Sequence, residues 1–182
     1  MKKKKGILRK LLTNSLMLCY NIKKRDLWGE TNNMKKLKAI DVARYIVWRA
    51  SENGTPISHL QLQKILYIVF GKVYKTLKRE LFEEEFYAWV YGPVVLEVYD
   101  EYCIYSAATI TPLRPPNVSI EDATLKAVID SEIDIRSKQP AFQLVDETHR
   151  KDGAWRSVYG NGEGRRKKIS RERIFTEFNN KM

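Results

Sequence analysis

Aromatic and apolar residues alternate along residues 86–91, which read Phe-Tyr-Ala-Trp-Val-Tyr. This two-residue period predicts a short strand. Gly92 and Pro93 follow, and because proline cannot donate to a strand ladder but suits the first turn of a helix, we expect the strand to stop there with Gly92 as the helix cap. Apolar residues then recur on one helical face: Val94, Val98, Tyr102 and Tyr105. The segment is therefore predicted to be a strand that turns sharply into an amphipathic helix.

Two helices are predicted upstream of this strand. Asp41 is expected to cap the first, which ends at Asn53-Gly54 because glycine is a favourable helix stop. The second has a complete start signal, since Ser58 and Gln61 have the spacing of a capping box. Its apolar residues form a stripe at helical spacing: Leu62, Ile65, Leu66, Val69, Val73 and Leu77. This stripe predicts that the second helix packs against the protein core.

Three more helices are predicted in the C-terminal half. Ser119 is expected to cap the first, whose buried side carries Leu125, Val128, Ile129 and Ile133. Pro140 begins the next, which reaches His149, and Ser170 begins a last short helix through Phe178. The fold class predicted from these elements is mainly α, a compact helical domain with a short β element before the Gly92-Pro93 corner.

Three connecting segments are predicted to be loops. Glu83-Glu84-Glu85 is interpreted as a solvated acidic turn. Residues 111–116 contain three prolines and should form an extended loop, because proline interrupts helices. Residues 160–168 (Gly-Asn-Gly-Glu-Gly-Arg-Arg-Lys-Lys) are expected to be a flexible basic loop.

The net charge of +11 is concentrated at the two ends of the 182-residue chain. Residues 1–33 hold nine Lys/Arg and two Asp/Glu, a net charge of +7. Residues 165–182 hold seven and two, a net charge of +5, whereas residues 34–164 hold seventeen and eighteen, a net charge of −1. Because a DNA-binding domain carries its basic patch on the folded surface, the nearly neutral body does not favour a nucleic-acid partner.

Residues 1–33 are interpreted as a basic N-terminal extension to a single domain at residues 34–182. Our hypothesis is that translation starts at Met34 and that the upstream residues are read-through of a leader. N-terminal sequencing of the native protein tests it. Cys19 and Cys103 lack the spacing of a metal or disulfide framework, which favours a reducing cytoplasm. No apolar run approaches the roughly 20 residues needed to span a bilayer.

A search for chemistry in the sequence gives mainly negative results. The chain lacks the phosphate-binding loop, the paired-histidine zinc helix and the nucleophile elbow, so we expect no catalytic residues, metal or cofactor. His59 lies in the first turn of a helix and is expected to be exposed. His149, which Asp152 and Trp155 follow, is interpreted as a structural histidine that hydrogen-bonds the backbone at a helix end. The catalytic alternative would pair it with Cys103 or an acid.

Large aromatic side chains are the other candidates for function. Trp89, Tyr91 and Trp155 are interpreted first as core or near-core residues. The alternative is that they are hot spots of a partner-binding surface, where Trp, Tyr and Arg are enriched. The sequence leaves both interpretations open.

Four motifs in a fixed order resemble the Panacea domain of SocA-like antitoxins, also described as phage-associated proteins. They are residues 39–46, residues 57–67, residues 86–94, and His149 followed by Trp155. The resemblance extends over about residues 38–178. The matched positions, interpreted mainly as scaffold, are Leu62, Gln63, Lys64, Leu66, Tyr67, Trp89, Tyr91, Gly92, Pro93, Val94, His149 and Trp155.

The resemblance implies a helical, non-enzymatic antitoxin, encoded beside its toxin on a mobile or prophage-like element. Such domains neutralise unrelated toxins by direct contact, and one relative is an adaptor that delivers its toxin to a protease. We expect toxin contacts from basic residues of the loops and the C-terminal segment: Arg79, Arg114, Arg165, Arg166, Lys167 and Lys168.

Two other function classes remain open from the sequence. A DNA-binding regulator of its own operon is suggested by a helix-turn-helix spacing in residues 41–77 and by the basic ends. Against it, the helix from Ser58 to Leu77 has few basic residues in its first turns, where readers of the major groove place them. An enzyme that uses His149 with Cys103 is the least favoured.

Overall fold

The computed structural model describes residues 36–180, which fall within the second of two units of the chain, Lys36–Met182. The predictions for residues 1–33, for a start at Met34 and for Cys19 lie outside the described residues.

Helices dominate the described part of the chain, which confirms the mainly α class. In chain order the elements are α1 Ala39–Glu52, α2 His59–Leu77, β1 Phe86–Trp89, β2 Gly92–Val94, α3 Leu96–Tyr102 with a 3₁₀ turn at Cys103–Tyr105, α4 Ala123–Arg136, α5 Ala141–Thr148, α6 Ala154–Tyr159, β3 Lys168–Ile169 and α7 Arg171–Asn180. The sequence analysis did not predict α6 and β3. No helix in this part combines the length and apolar character that crossing a bilayer requires.

The centre of the fold is α2. Its capping box is confirmed, because the Ser58 hydroxyl accepts from the backbone N–H of Gln61 and the Gln61 side chain accepts from the backbone N–H of Ser58. Burial extends beyond the predicted stripe to residues on the other faces, such as Ile68 and Phe70. The prediction that His59 is exposed is wrong, since the residue is buried. The centroids of its ring and of the Tyr99 ring are 5.0 Å apart. A helix with neighbours on all sides buries even its first turn.

The start of α1 differs from the prediction. Asp41 lies inside the first turn, and the helix begins at Ala39 after Lys38. The backbone N–H of Ala39 instead donates to the Glu84 carboxylate at 3.0 Å. One residue of the predicted acidic turn therefore supplies the negative charge that a helix N-terminus favours.

The start of α4 also differs, because Asp122 rather than Ser119 is the capping residue. Its Oδ1 atom accepts from the backbone N–H groups of Thr124 and Leu125 at 2.8 and 3.0 Å. Its other oxygen lies 2.8 Å from the guanidinium of Arg79. Together with its cap bonds, this ion pair holds the pKa of Asp122 below its usual value. The remaining predictions for α5 and α7 agree with the structure to within a residue or two.

The Gly92-Pro93 corner is a strand and not the start of a helix, so this prediction is wrong. Trp89 pairs with Gly92 and Ala88 with Pro93, which makes β1 and β2 a hairpin with a two-residue turn at Val90-Tyr91. The sheet order β2-β1-β3 leaves β2 at the edge, where proline is tolerated because no ladder donor is needed on its open side. Helix α3 begins only at residue 96.

The basic segment at residues 160–168 is a series of turns bound to β1 and not a free loop. The backbone N–H of Arg166 donates to the Ala88 carbonyl at 2.6 Å, and the N–H of Ala88 donates to the Lys167 carbonyl at 2.8 Å. Strand β3 continues this pairing, with Ile169 opposite Phe86. The segment is thereby fixed along the side of the hairpin.

Candidate functional site

Buried polar side chains of α2 hold the chain where β2 ends and α3 begins. The Gln63 amide oxygen accepts from the backbone N–H of Val95 at 3.0 Å, and its amide nitrogen donates to the Val95 carbonyl at 3.4 Å. The Val95 carbonyl also accepts from the backbone N–H of Tyr99 at 2.9 Å, so both backbone groups of Val95 are hydrogen-bonded. Buried backbone groups outside regular secondary structure need such hydrogen-bond partners, because they are shielded from water.

Lys64, the next residue of α2, is fully buried beneath the hairpin. Its ammonium nitrogen donates to the Pro93 carbonyl at 2.7 Å. Burial lowers the pKa of Lys64 well below its ordinary value, because the charged form loses its hydration. The family resemblance named Lys64 as a scaffold position, but the hydrophobic pattern of α2 alone does not distinguish it from surface lysines.

Gly92 closes over Lys64 and cannot be replaced without strain. Its φ of +104° belongs to glycine, and a Cβ atom there would lie 2.7 Å from the Lys64 nitrogen and 2.8 Å from the Thr148 hydroxyl. Gly92, Lys64 and Thr148 thus form one closely fitted group under the turn of the hairpin.

Trp155 of α6 supports the hairpin from another side. Its indole N–H donates to the Trp89 carbonyl at 2.9 Å. The indole is stacked between the rings of His149 and Tyr159, with centroid distances of 3.6 and 4.6 Å. The prediction that Trp155 is a core aromatic is confirmed, since the residue is buried.

His149 lies at a helix end as predicted, but its ring does not make the predicted hydrogen bond. His149 is the C-cap of α5, and its backbone N–H donates to the carbonyls of Val145 and Asp146. Its ring stacks on Trp155, and the buried Nε2 atom has no hydrogen-bond partner within residues 36–180. Cys103, the partner of the catalytic alternative, is exposed on the turn after α3.

Burial, followed by the positive charges of Lys64 and Arg156, lowers the pKa of His149 from 6.5 to about 4, although Asp146 opposes the shift. Between these two pH values the unfolded chain binds a proton that the folded protein does not. The stabilising contribution of the neutral ring is therefore complete above pH 6.5 and is lost as the pH falls towards 4.

We predict that His149→Phe, which keeps a ring on Trp155 but cannot titrate, loses less stability in acid than the wild type. The difference in unfolding free energy between the two proteins should change by about 1–2 kcal/mol between neutral pH and pH 4, because solvent screens part of the effect at a half-buried ring. Urea unfolding across this range measures it. Parallel loss of stability in both proteins would contradict the prediction.

The tip of the hairpin, in contrast to its base, faces solvent. Val90 and Tyr91 are 47% and 55% exposed, and Phe142 at the start of α5 is 65% exposed. The first interpretation of Tyr91 as a core or near-core residue is therefore wrong, because its side chain lies in the turn of the hairpin. The Tyr91 and Phe142 rings lie edge to face, with centroids 6.4 Å apart. The guanidinium of Arg166 lies 5.3 Å from the Trp89 ring, just before the turn. Residue 142 gave no functional signal in the sequence, since one phenylalanine in a helix pattern indicates only a core residue.

The predicted toxin-contacting residues occupy three places. Arg165, Arg166, Lys167 and Lys168 lie together and exposed along β1, with Lys168 paired to Glu85. Arg79 pairs with Asp122, and the exposed Arg114 lies in the proline-rich loop, beside a cavity that Tyr102 and Tyr105 also line. Their roles as contacts remain predictions.

The other motif residues lie inside the protein. Leu62, Leu66 and Val94 are buried apolar residues. The hydroxyl of buried Tyr67 donates to Glu177 of α7 at 2.6 Å, a carboxylate that sequence reasoning did not single out. Within the described residues, no group of three or more His, Cys, Asp or Glu is placed to hold a metal ion.

Comparison with known proteins identifies a family over the part of the chain that contains these residues. Residues 62–156, a range that begins at Leu62 and includes Trp155, match the family described as antitoxin SocA-like, Panacea domain. Antitoxin SocA of Caulobacter vibrioides (strain NA1000 / CB15N) is 29% identical over 144 residues, which cover 74% of this chain and 76% of that protein. No solved structure matches the chain significantly. The chain belongs to the SocA-like antitoxin family with a Panacea domain.

Proposed function

We propose that this protein is an antitoxin that neutralises a cognate toxin, encoded nearby, by direct protein–protein binding. The observation that carries the proposal is the family match over residues 62–156, together with the similarity to antitoxin SocA. The protein acts without a cofactor and as a binding protein rather than an enzyme. Its place is the bacterial cytoplasm, and its gene belongs to a mobile or prophage-like element.

The internal position of three motif residues, Gln63, Lys64 and Trp155, supports this proposal. Gln63, Lys64 and Trp155 each donate hydrogen bonds to the backbone of the hairpin or of the residue after it. A segment that is fixed before binding loses less conformational entropy when its partner docks. A scaffold that fixes one exposed hairpin is suited to recognition of another protein.

The packing of α2 weakens the alternative of a DNA-binding regulator. Gln61 in its first turn donates to the Gln139 carbonyl, and His59 packs on Tyr99, so neither faces outward as base readers must. An adaptor that delivers the toxin to a protease remains an alternative form of the antitoxin proposal. In that case the toxin is degraded rather than only blocked.

The test is expression of the adjacent open reading frame in bacteria, with and without the full chain. We expect growth arrest that the chain relieves and co-purification of the two proteins. A constant toxin level during rescue supports inhibition by binding, whereas a falling level indicates delivery to a protease. Failure to rescue growth despite good expression of both proteins would contradict the proposed function.

A further inference from the structure

Three exposed apolar side chains meet at the tip of the hairpin. Val90 and Tyr91 form its turn, and Phe142 reaches the Tyr91 ring from α5. We call these three residues the hairpin-tip surface. Single exposed apolar residues are common on protein surfaces, but aromatic residues from two separate elements in mutual contact are typical of a recognition site.

The three tip side chains do not hold the hairpin in place, because the hairpin is anchored at its base. The Trp89 and Pro93 carbonyls, on either side of the turn, are bound by Trp155 and Lys64. The tip side chains are left outside these anchors, each about half exposed or more. The arrangement presents apolar groups on a rigid support, which is the condition for a strong hot spot.

Basic residues border the hairpin-tip surface. Residues 150–168 carry seven Lys/Arg and two Asp/Glu, a net charge of +5. Within this segment Arg166 lies over the ring of Trp89, next to the turn, and Arg165 and Lys167 are exposed beside it. An apolar centre with a charged rim is the usual anatomy of a protein–protein interface.

We propose that the hairpin-tip surface inserts into an apolar cleft of the toxin whose rim is acidic. This inference rests on the proposed function and specifies its partner surface. The apolar centre supplies most of the affinity, and the basic rim increases the association rate with an acidic partner.

The first test compares exposed apolar residues at the tip with exposed apolar residues elsewhere. Tyr91→Ser and Phe142→Ser are the test variants, and Ile104→Ser and Leu113→Ser, which alter side chains 83% and 98% exposed, are the matched controls. The probe is the purified product of the adjacent open reading frame. We expect each tip variant of the full chain to bind it about 30-fold more weakly or worse, the threshold for a hot spot. The controls should stay within a few-fold of the wild type.

The second test removes equal charge at two places. Arg165→Ala/Lys167→Ala should slow association with the same probe at low salt, and added salt should reduce the difference, because screening weakens steering between exposed charges. Lys78→Ala/Lys138→Ala, which alters two exposed residues outside the predicted contacts, is the control and should leave the association rate near that of the wild type. An equal or larger effect in the control pair would overturn this part of the inference.

The outcomes separate the inference from the proposed function. Binding by the wild type that both tip variants retain, with unchanged thermal unfolding, overturns the hairpin-tip surface and leaves the antitoxin proposal intact. Absence of binding and rescue by the wild type overturns both. Binding of a DNA duplex that Arg165→Ala/Lys167→Ala abolishes, with toxin binding unaffected, would assign the rim to nucleic acid and also overturn the inference.

Discussion

Trp155→Ala is expected to lower the free energy of unfolding by about 3–5 kcal/mol, as large aromatic-to-alanine changes in a core do. The substitution removes a buried indole that is stacked on His149 and Tyr159 and leaves a cavity between them. It also leaves the Trp89 carbonyl without the indole N–H that it accepts from. Urea unfolding followed by far-ultraviolet circular dichroism measures the loss.

Trp155→Phe is the matched control for this prediction. A phenyl ring keeps part of the stack but lacks the N–H, so we expect a smaller loss, with about 1 kcal/mol of it from the lost hydrogen bond to the carbonyl of residue 89. If the alanine and phenylalanine variants were equally unstable, the stack would contribute little and the prediction would be wrong.

Glu177→Ala is the second change for which we expect a large loss of stability, again about 3–5 kcal/mol. One carboxylate oxygen of this buried residue accepts from the Tyr67 hydroxyl at 2.6 Å and from the backbone N–H of Ala154 at 2.9 Å. It thereby joins α2, α6 and α7. Each buried donor left without an acceptor costs about 1–3 kcal/mol, and alanine leaves two. Chemical denaturation of the purified variant gives the value.

Glu177→Gln separates the hydrogen bonds from the charge. Both donors use the same carboxylate oxygen, so one amide oxygen can accept from both. We therefore expect the glutamine variant to retain most of the stability that the alanine variant loses. Tyr67→Phe removes one donor and should lie between the wild type and the alanine variant. Equal instability of the glutamine and alanine variants would show that the negative charge, and not the acceptor, is what matters.

The parts of the fold that sequence predicted well depend on neighbouring residues. The start of α2 follows from Ser58 and Gln61, three residues apart, and its burial follows from an apolar stripe on the same helix. Two of the errors arose where a distant residue decided the outcome. Glu84 caps α1 from 45 residues away, and the basic segment that leads into β3 is fixed by β1, about 80 residues earlier.

The sequence predicted some of the residues that belong to the candidate site, but not how they act together. The resemblance identified Gln63, Lys64 and Trp155, but their joint action on one hairpin depends on contacts between α2, α6 and the sheet. The sequence pattern also placed Gly92-Pro93 at a helix start, because glycine and proline suit both that position and an edge strand. Only the partner strand distinguishes the two.

The hairpin anchors become available at different times during synthesis because they lie far apart in the sequence. The ribosome releases the N-terminal part of a protein first, and domains generally fold as units. The hairpin lies near the middle of the sequence, whereas Trp155 and β3 belong to the last 30 residues. A nascent chain that has exposed residues 86–94 therefore still lacks two of the contacts that fix them. The hairpin is fixed only after residues 155–169 have been synthesised, so a chain terminated between residues 94 and 155 would contain the hairpin sequence without its fixed conformation.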